Sequence, residues 1–269
     1  MPSELLTLWR HRDFVKATVR REFELRYRTT SLGAVWAIAQ PLVMVVVYSV
    51  VFSNLMPAKL GVASTGFDYA LHVCAGILAW TFFSEIGQRM ANLFLDNANL
   101  LKKIQFPRAC LPIGAVLTAG IGSGVLLMLV LVFAAIVHGG LGFLTVAKFF
   151  WLPSLIATLA LFAVGLGLVV GVLNVLVRDV GQMFSVAMTL WFWATPIVYP
   201  LSALPQWAQS IVSLNPLTPV VQGFQSIFSG QQIAPAFDAI LAVAGLSLVL
   251  LAAGVKLFSA LESQVLDNL

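Results

Sequence analysis

The sequence predicts an all-α polytopic membrane protein. It would have six transmembrane helices, an N-terminal amphipathic helix at the membrane interface, and two short re-entrant helices between the last two spans. Three observations predict this. Of the 269 residues, 60% are hydrophobic and only 10% charged, and the mean hydropathy is +0.96. An ordinary soluble domain is about 45–50% apolar and about 25% charged. Six apolar runs read as spans of the kind that needs roughly 20 residues. Finally, lysine and arginine fall almost wholly on one side of those runs. Two cysteines are too few for a secreted disulfide scaffold. The runs are continuous rather than alternating, which argues against a β-barrel.

The first element is residues 3–30, an amphipathic helix, whole or broken in two. Ser3 suits its N-cap, and Glu4 suits its first turn beside the positive end of the helix dipole. Leu5, Leu8 and Trp9 share one face, and Val15, Val19 and Phe23 continue an apolar stripe at spacing four. Arginines fill the other face, the pattern of a helix lying among lipid headgroups. A basic flank that only fixes topology fits the same residues. The sharper reading is a collar for an anionic lipid headgroup or a diphosphate. Arg20, Arg21, Arg26 and Arg28 are best placed for it, because they sit nearest the membrane. The charges spread over nearly thirty residues before any apolar run, unlike a cleaved signal peptide.

The spans are expected at Gly33–Leu55, Tyr69–Leu93, Leu111–Val137, Phe149–Val177, Met183–Val198 and Ala236–Leu257. With these, all fifteen lysines and arginines except Lys59 and Lys148 lie on one side. The positive side is cytoplasmic, so both termini are expected there. Cys74 and Cys110 then lie near opposite faces, read as packing residues that cannot bridge within one chain. Gly120-x-x-x-Gly124 and Gly167-x-x-x-Gly171 offer small-residue faces for close helix approach, read as packing within the chain.

The connection after the second span, Asp96–Pro112, reads DNANLLKKIQFPRACLP. Leu100, Leu101, Ile104 and Phe106 would be displayed beside Lys102, Lys103 and Arg108. A short helix docked on a partner protein would bury them; a loop dipping into lipid is the alternative. Tyr199–Pro235 lacks any charged residue yet carries five prolines, Pro200, Pro205, Pro216, Pro219 and Pro235. Two short helices fit it. One places Trp207, Ile211 and Leu214 on one face. The other starts with Thr218 as cap and Pro219 in its first turn, and places Val220, Phe224 and Phe228 together. Charge-free helices of this kind belong in the membrane, entering and leaving on one side.

Chemistry-bearing residues are sparse. No Gly-x-x-x-x-Gly-Lys-Ser/Thr loop occurs, so ATP would have to be bound by another chain. Glu85 and Arg89 stand four apart inside the second span and can pair; a proton relay through Glu85 is the other reading. His72 and His138 lie near the outer ends of spans. No His/carboxylate or Cys/His spacing suggests a metal or a nucleophile. Aromatics are richer: Trp191, Trp193 and Tyr199 cluster at the outer half of the fifth span, with Tyr48 and Phe52 at similar depth in the first and Trp80 in the second. They make either an ordinary interfacial belt or a lining on which sugar rings stack and slide.

Several motifs resemble those of one family. Arg26-Tyr27-Arg28-Thr29-Thr30-Ser31-Leu32-Gly33-Ala34-Val35-Trp36 followed by Gln40-Pro41-Leu42 is similar to a signature of the permease subunit of bacterial polysaccharide ABC exporters. This is a type-2 ABC transporter group that includes exporters of O-antigen, capsule and teichoic acid. Cys74–Phe83 resembles its second span, Asn97–Pro112 its cytoplasmic coupling segment, and Asn215-Pro216-Leu217-Thr218 the start of its second outer re-entrant helix. The motifs cover nearly the whole chain in the family's order. Gln225 departs from an arginine common there, and Thr29-Thr30 from a Gly-Ser pair.

The resemblance implies a non-enzymatic permease that dimerises with a second copy and joins two copies of an ATP-binding subunit. ATP and Mg would be held by that subunit, with no cofactor in this chain. Residues 1–32 would be the cytoplasmic interfacial helix and 33–269 the transmembrane domain, with a coupling segment at 96–110 and periplasmic re-entrant helices at 200–235. Asn97, Leu100, Leu101, Lys102, Lys103, Phe106, Pro107 and Arg108 would meet the ATPase subunit. A lipid-linked polysaccharide would be moved from cytoplasm to periplasm across the bacterial inner membrane. Three rivals remain: a drug or small-lipid exporter of the same architecture, a proton-coupled secondary transporter using Glu85, and a membrane-embedded glycan or acyl transferase.

Overall fold

The computed structural model describes residues 12–27, 35–55, 66–102, 110–143, 146–228 and 237–268. Among them there is no strand. The helices are α1 (Arg12–Tyr27), α2 (Trp36–Leu55), α3 (Gly66–Asp96), the single turn α4 (Ala98–Leu101), α5 (Cys110–Val137) and α6 (Val146–Leu176). They continue as α7 (Asp179–Trp193), α8 (Gln206–Ser213), α9 (Leu217–Phe228), α10 (Phe237–Ala260) and α11 (Glu262–Asn268). Within the described residues, α3, α5, α6 and α10 are long and apolar enough to cross a membrane.

α3 is the centre of the bundle. It packs against α2, α5, α6, α7 and α9. Of its apolar stretch 72% is buried, against 22% for α5 and α10. The close approach of α3 and α6 follows from glycine. A Cβ on Gly167 would stand 2.4 Å from Met90 Cβ, and one on Gly171 would stand 2.5 Å from the Met90 carbonyl oxygen. With no side chain there, the α6 backbone lies directly on α3. α6 meets α10 in the same way, where a Cβ on Gly165 would stand 2.8 Å from the Leu251 nitrogen. Phe94 and Phe258 stack with centroids 4.9 Å apart and join α3 to α10.

The expectation for Gly120 and Gly124 is corrected. Nothing lies within 4 Å of a Cβ built on either. Both instead border a cleft with Leu78, Phe82, Leu127 and Phe224 along its walls. The hydrophobic pattern alone cannot tell a glycine stripe that meets a helix from one that faces open space.

The bounds of the fifth expected span are corrected as well. α7 begins at Asp179 and stops at Trp193, short of Val198. Its 15 residues at 1.5 Å each make about 22 Å, less than the roughly 30 Å hydrocarbon core. Pro196 explains the stop: its ring would strike the carbonyl of Phe192, and it disfavours the helical conformation at Thr195. α5 ends differently. Gly139 and Gly140 take positive φ (71° and 137°), and the Gly140 N–H reaches back to the Ala135 carbonyl at 2.8 Å.

Candidate functional site

Three groups of expected site residues can be placed. The first is the basic collar. α1 packs on α5, with Thr18 Cγ2 3.8 Å from the place of a Cβ on Gly114. Arg20 and Arg21 are exposed. The Arg20 Nε donates to Glu24 Oε1 at 2.8 Å, and that bond raises the guanidinium pKa further. Arg26 belongs to α1, while Ser3 and Arg28 lie outside the described residues.

The second group is the connection after α3. Asn97 stands at the corner. Its Nδ2 donates to the Leu93 carbonyl at 2.8 Å, and its own carbonyl accepts the N–H groups of Leu100 and Leu101. The corner is thereby closed from both sides. Leu101 is buried within the chain, and Leu100 is half-buried against the same core. The expected display of Leu101 is corrected: α4 folds back and uses it as an anchor. Lys102 is exposed just beyond. Lys103, Ile104, Phe106, Pro107 and Arg108 lie outside the described residues.

The third group is the aromatic zone around the C-terminal end of α7. The Trp191 ring packs edge-on against Phe83 (5.6 Å) and Phe162 (6.2 Å). Trp80 meets Phe83 and, edge-on, Phe192. Trp193 is 63% exposed. Residues two apart on a helix point to nearly opposite faces, so Trp191 faces the bundle and Trp193 faces away. The Tyr199 hydroxyl donates to the Trp193 carbonyl at 2.8 Å. Tyr48 and Phe52 are carried by α2.

Asn215 ties this zone to the two short helices. Its Oδ1 accepts from Trp191 Nε1 at 2.9 Å and from the Leu217 N–H at 3.0 Å. Its Nδ2 donates to Thr195 Oγ1 at 2.9 Å and lies 3.3 Å from the Ala194 carbonyl. Both ends of the amide are used. The helix cap is therefore Asn215, not Thr218. The Thr218 hydroxyl instead donates to the Val212 carbonyl at 2.7 Å. We predict that Asn215→Leu, near in volume, costs about 1–3 kcal/mol, because it strands the Trp191 indole N–H and an N-terminal helix amide. Thermal unfolding in detergent, followed by tryptophan fluorescence, should show a lower midpoint; an unchanged midpoint would show the four contacts to be dispensable.

Beyond the cap, α9 buries Val220, Phe224 and Phe228, the three residues expected to share a face, and Val221 and Ile227 besides. Gln225, also buried, donates to the carbonyls of Pro196 (3.0 Å) and Ile197 (3.3 Å), where the α7 ladder has stopped. The last α9 carbonyls are met in turn. Lys148 Nζ donates to Ile227 O at 3.2 Å, and His138 Nε2 lies 2.9 Å from Phe228 O. Burial lowers the Lys148 pKa. In contrast, α8 leaves Trp207, Ile211 and Leu214 bare (71%, 62% and 84% exposed), so the chain itself does not cover that face.

Inside α3, Glu85 and Arg89 pair at 3.0 Å, as their spacing predicts. Cys74 and Cys110 are both free and buried. Two polar residues that sequence reasoning passed over also join helices, Gln88 half-buried and Asn174 buried. Gln88 meets Ser185, and Asn174, only 2% exposed, meets α3 and α7 together. The signal available for Asn174 was an amide side chain placed in an otherwise apolar run.

The family model of the ABC-2 type transporter matches residues 14–229. Over 97% of each chain, the sequence is 28% identical to an O-antigen export system permease protein, RfbA, of Myxococcus xanthus. It is 23% identical to an RfbA of the same description from Klebsiella pneumoniae, over 93% of this chain and 92% of that one. A polysialic acid transport protein of Escherichia coli, KpsM, is 21% identical over 77% of this chain and 78% of its own.

Proposed function

The chain belongs to the ABC-2 type transporter family, and we propose that it is the permease subunit of an ATP-driven exporter of lipid-linked polysaccharide, such as O-antigen or capsule. The observation that carries this reading is its end-to-end similarity, 97% of each chain, to a permease described as exporting O-antigen. It sits in the bacterial cytoplasmic membrane with both termini inside. Two copies form the conduit, and each engages one ATP-binding subunit. α2 and α7 complete a set of six spans, α7 doing so together with the irregular segment up to Val198. α8 and α9 form a re-entrant pair in the outer leaflet, a placement supported by their lack of charge and the bare apolar face of α8.

The parts have distinct tasks. Arg20, Arg21, Arg26 and Arg28 receive the anionic, lipid-linked end of the substrate by charge-assisted hydrogen bonds. The segment from Asn97 to Arg108 docks on the ATP-binding subunit, which supplies all nucleotide chemistry. Tyr48, Phe52, Trp80, Trp191, Trp193 and Tyr199 belong to the wall along which sugar rings move. Flat apolar faces hold sugars without strict choice among them, as a long polymer requires.

Mild-detergent purification of the tagged chain, expressed with its neighbouring genes, tests this reading. Retention of a stoichiometric ATP-binding subunit and a lipid-linked glycan is expected. A chain purified alone would favour the secondary-transport reading through Glu85.

The two tryptophans of α7 should separate by phenotype. Trp193→Ala, at an exposed position, should lower export severalfold with assembly intact. Trp191→Ala removes a packed ring and should lower thermal stability by about 3–5 kcal/mol. Export assayed beside the unfolding midpoint decides: unchanged export in Trp193→Ala would make that residue part of an interfacial belt only.

A further inference from the structure

An asparagine buried in an apolar helix needs a reason, because its amide must find partners away from water. Asn174, two residues before the end of α6, finds them on two other helices. Its Nδ2 donates to the Ala91 carbonyl at 2.9 Å and lies 3.3 Å from Asn92 Oδ1, both on α3. Its Oδ1 accepts the Gly181 N–H at 2.9 Å. That N–H belongs to the first turn of α7 and has no partner within its own helix. The fit admits no side chain at residue 181, where a Cβ would stand 2.7 Å from both polar atoms of Asn174. One turn along, Ser185 Oγ lies 3.2 Å from Gln88 Oε1 and repeats the α7–α3 contact. Phe184 and Met188 then close over Gly87, 3.4–3.7 Å from the place of its Cβ.

These contacts gather at one end of the bundle. Asn92 is five residues before Asn97, where α3 gives way to the segment proposed to dock on the ATP-binding subunit. At the far end of α7 stand Trp193 and the break at Pro196. We propose that Asn174 is a positioning residue for export: it locks the inner third of α3, the inner end of α6 and the start of α7 into one rigid unit. Displacement of the docking segment is thereby carried to the outer end of α7. The proposal rests on reading the chain as an export permease.

The test uses the complex of this chain with its ATP-binding subunit in proteoliposomes. Wild type comes first: absence of that subunit would overturn the permease reading, and this proposal with it, before any variant is made. In Asn174→Leu, backbone hydrogen exchange over residues 179–185 should rise. Export per ATP hydrolysed should fall roughly tenfold, within the usual range of coupling between sites, while the subunits stay together. Joining Gln88→Cys to Ser185→Cys with a short bifunctional thiol reagent in the Asn174→Leu background should restore export per ATP. A residue needed only for folding would not show that rescue. Cys74 and Cys110 are buried and compete little for the reagent. Faster exchange with unaltered export per ATP would overturn the proposal. Should Asn174→Leu not assemble, the same bridge in the otherwise unchanged chain decides. Retained export supports one rigid unit; lost export means that α3 and α7 must separate during the cycle.

Discussion

Replacing Lys102, Lys103 and Arg108 together with alanine is expected to abolish export while leaving the chain folded and inserted. Fold and function separate at this place for a physical reason. The corner after α3 is held by Asn97, through its side chain to Leu93 and its carbonyl to Leu100 and Leu101, and by burial of Leu101. Lys102 stands outside that arrangement and is exposed. Its removal therefore takes nothing from the core. What it removes is the positive charge that the proposed docking would offer to a partner. Truncating one side of a desolvated charge pair at an interface costs about 2–5 kcal/mol, and each 1.4 kcal/mol is about tenfold in affinity. Two or three such losses should detach the ATP-binding subunit or leave it turning over without export. Export, ATP hydrolysis and co-purification measured on one preparation distinguish these. Wild-type export from the triple variant would remove the docking role from residues 97–108.

How much of this was legible beforehand depended on the range of the interaction. Apolar runs are local, and the helices begin and end within a few residues of expectation at α2, α3, α5, α6 and α10. The pairing of Glu85 with Arg89 is local too. α7 was misjudged by one residue type, since Pro196 lies inside an apolar run and hydropathy averages over it. Asn215 was legible as the start of a motif but not as a hub, because Trp191 and Thr195 reach it from another element. Asn174 and Gln225 were opaque for the same reason: Asn174 meets Ala91 from 83 residues away, and Gln225 meets Pro196 from 29. Leu101 shows the converse error. Apolar residues in a polar connector suggest a partner protein, yet one of them serves its own chain.

The glycine pairs carry the second large effect. Gly171→Ala should destabilise the protein, whereas Gly124→Ala should not, although each adds one methyl group to a Gly-x-x-x-Gly stripe. On helix propensity alone both changes favour the helix, by about 1 kcal/mol. Contacts decide the sign. The methyl of Ala at 171 would lie 2.5 Å from the Met90 carbonyl oxygen, with the Phe94 ring 3.5 Å away. A backbone carbonyl held within the α3 helix cannot rotate aside, so the helices must part. Parting matters more in lipid than in water, because helix association there rests on close packing rather than on the hydrophobic effect. Overpacking of this kind costs about 1–3 kcal/mol. At 124 the added methyl meets only open space. The unfolding midpoint in detergent should thus fall for Gly171→Ala and hold or rise for Gly124→Ala. Equal midpoints would mean that α3 and α6 are not in backbone contact. The consequence would reach further than stability, since Gly171 lies one turn from Asn174. A helix pair forced apart at 171 draws the Asn174 amide from Ala91, so Gly171→Ala should also lower export per ATP.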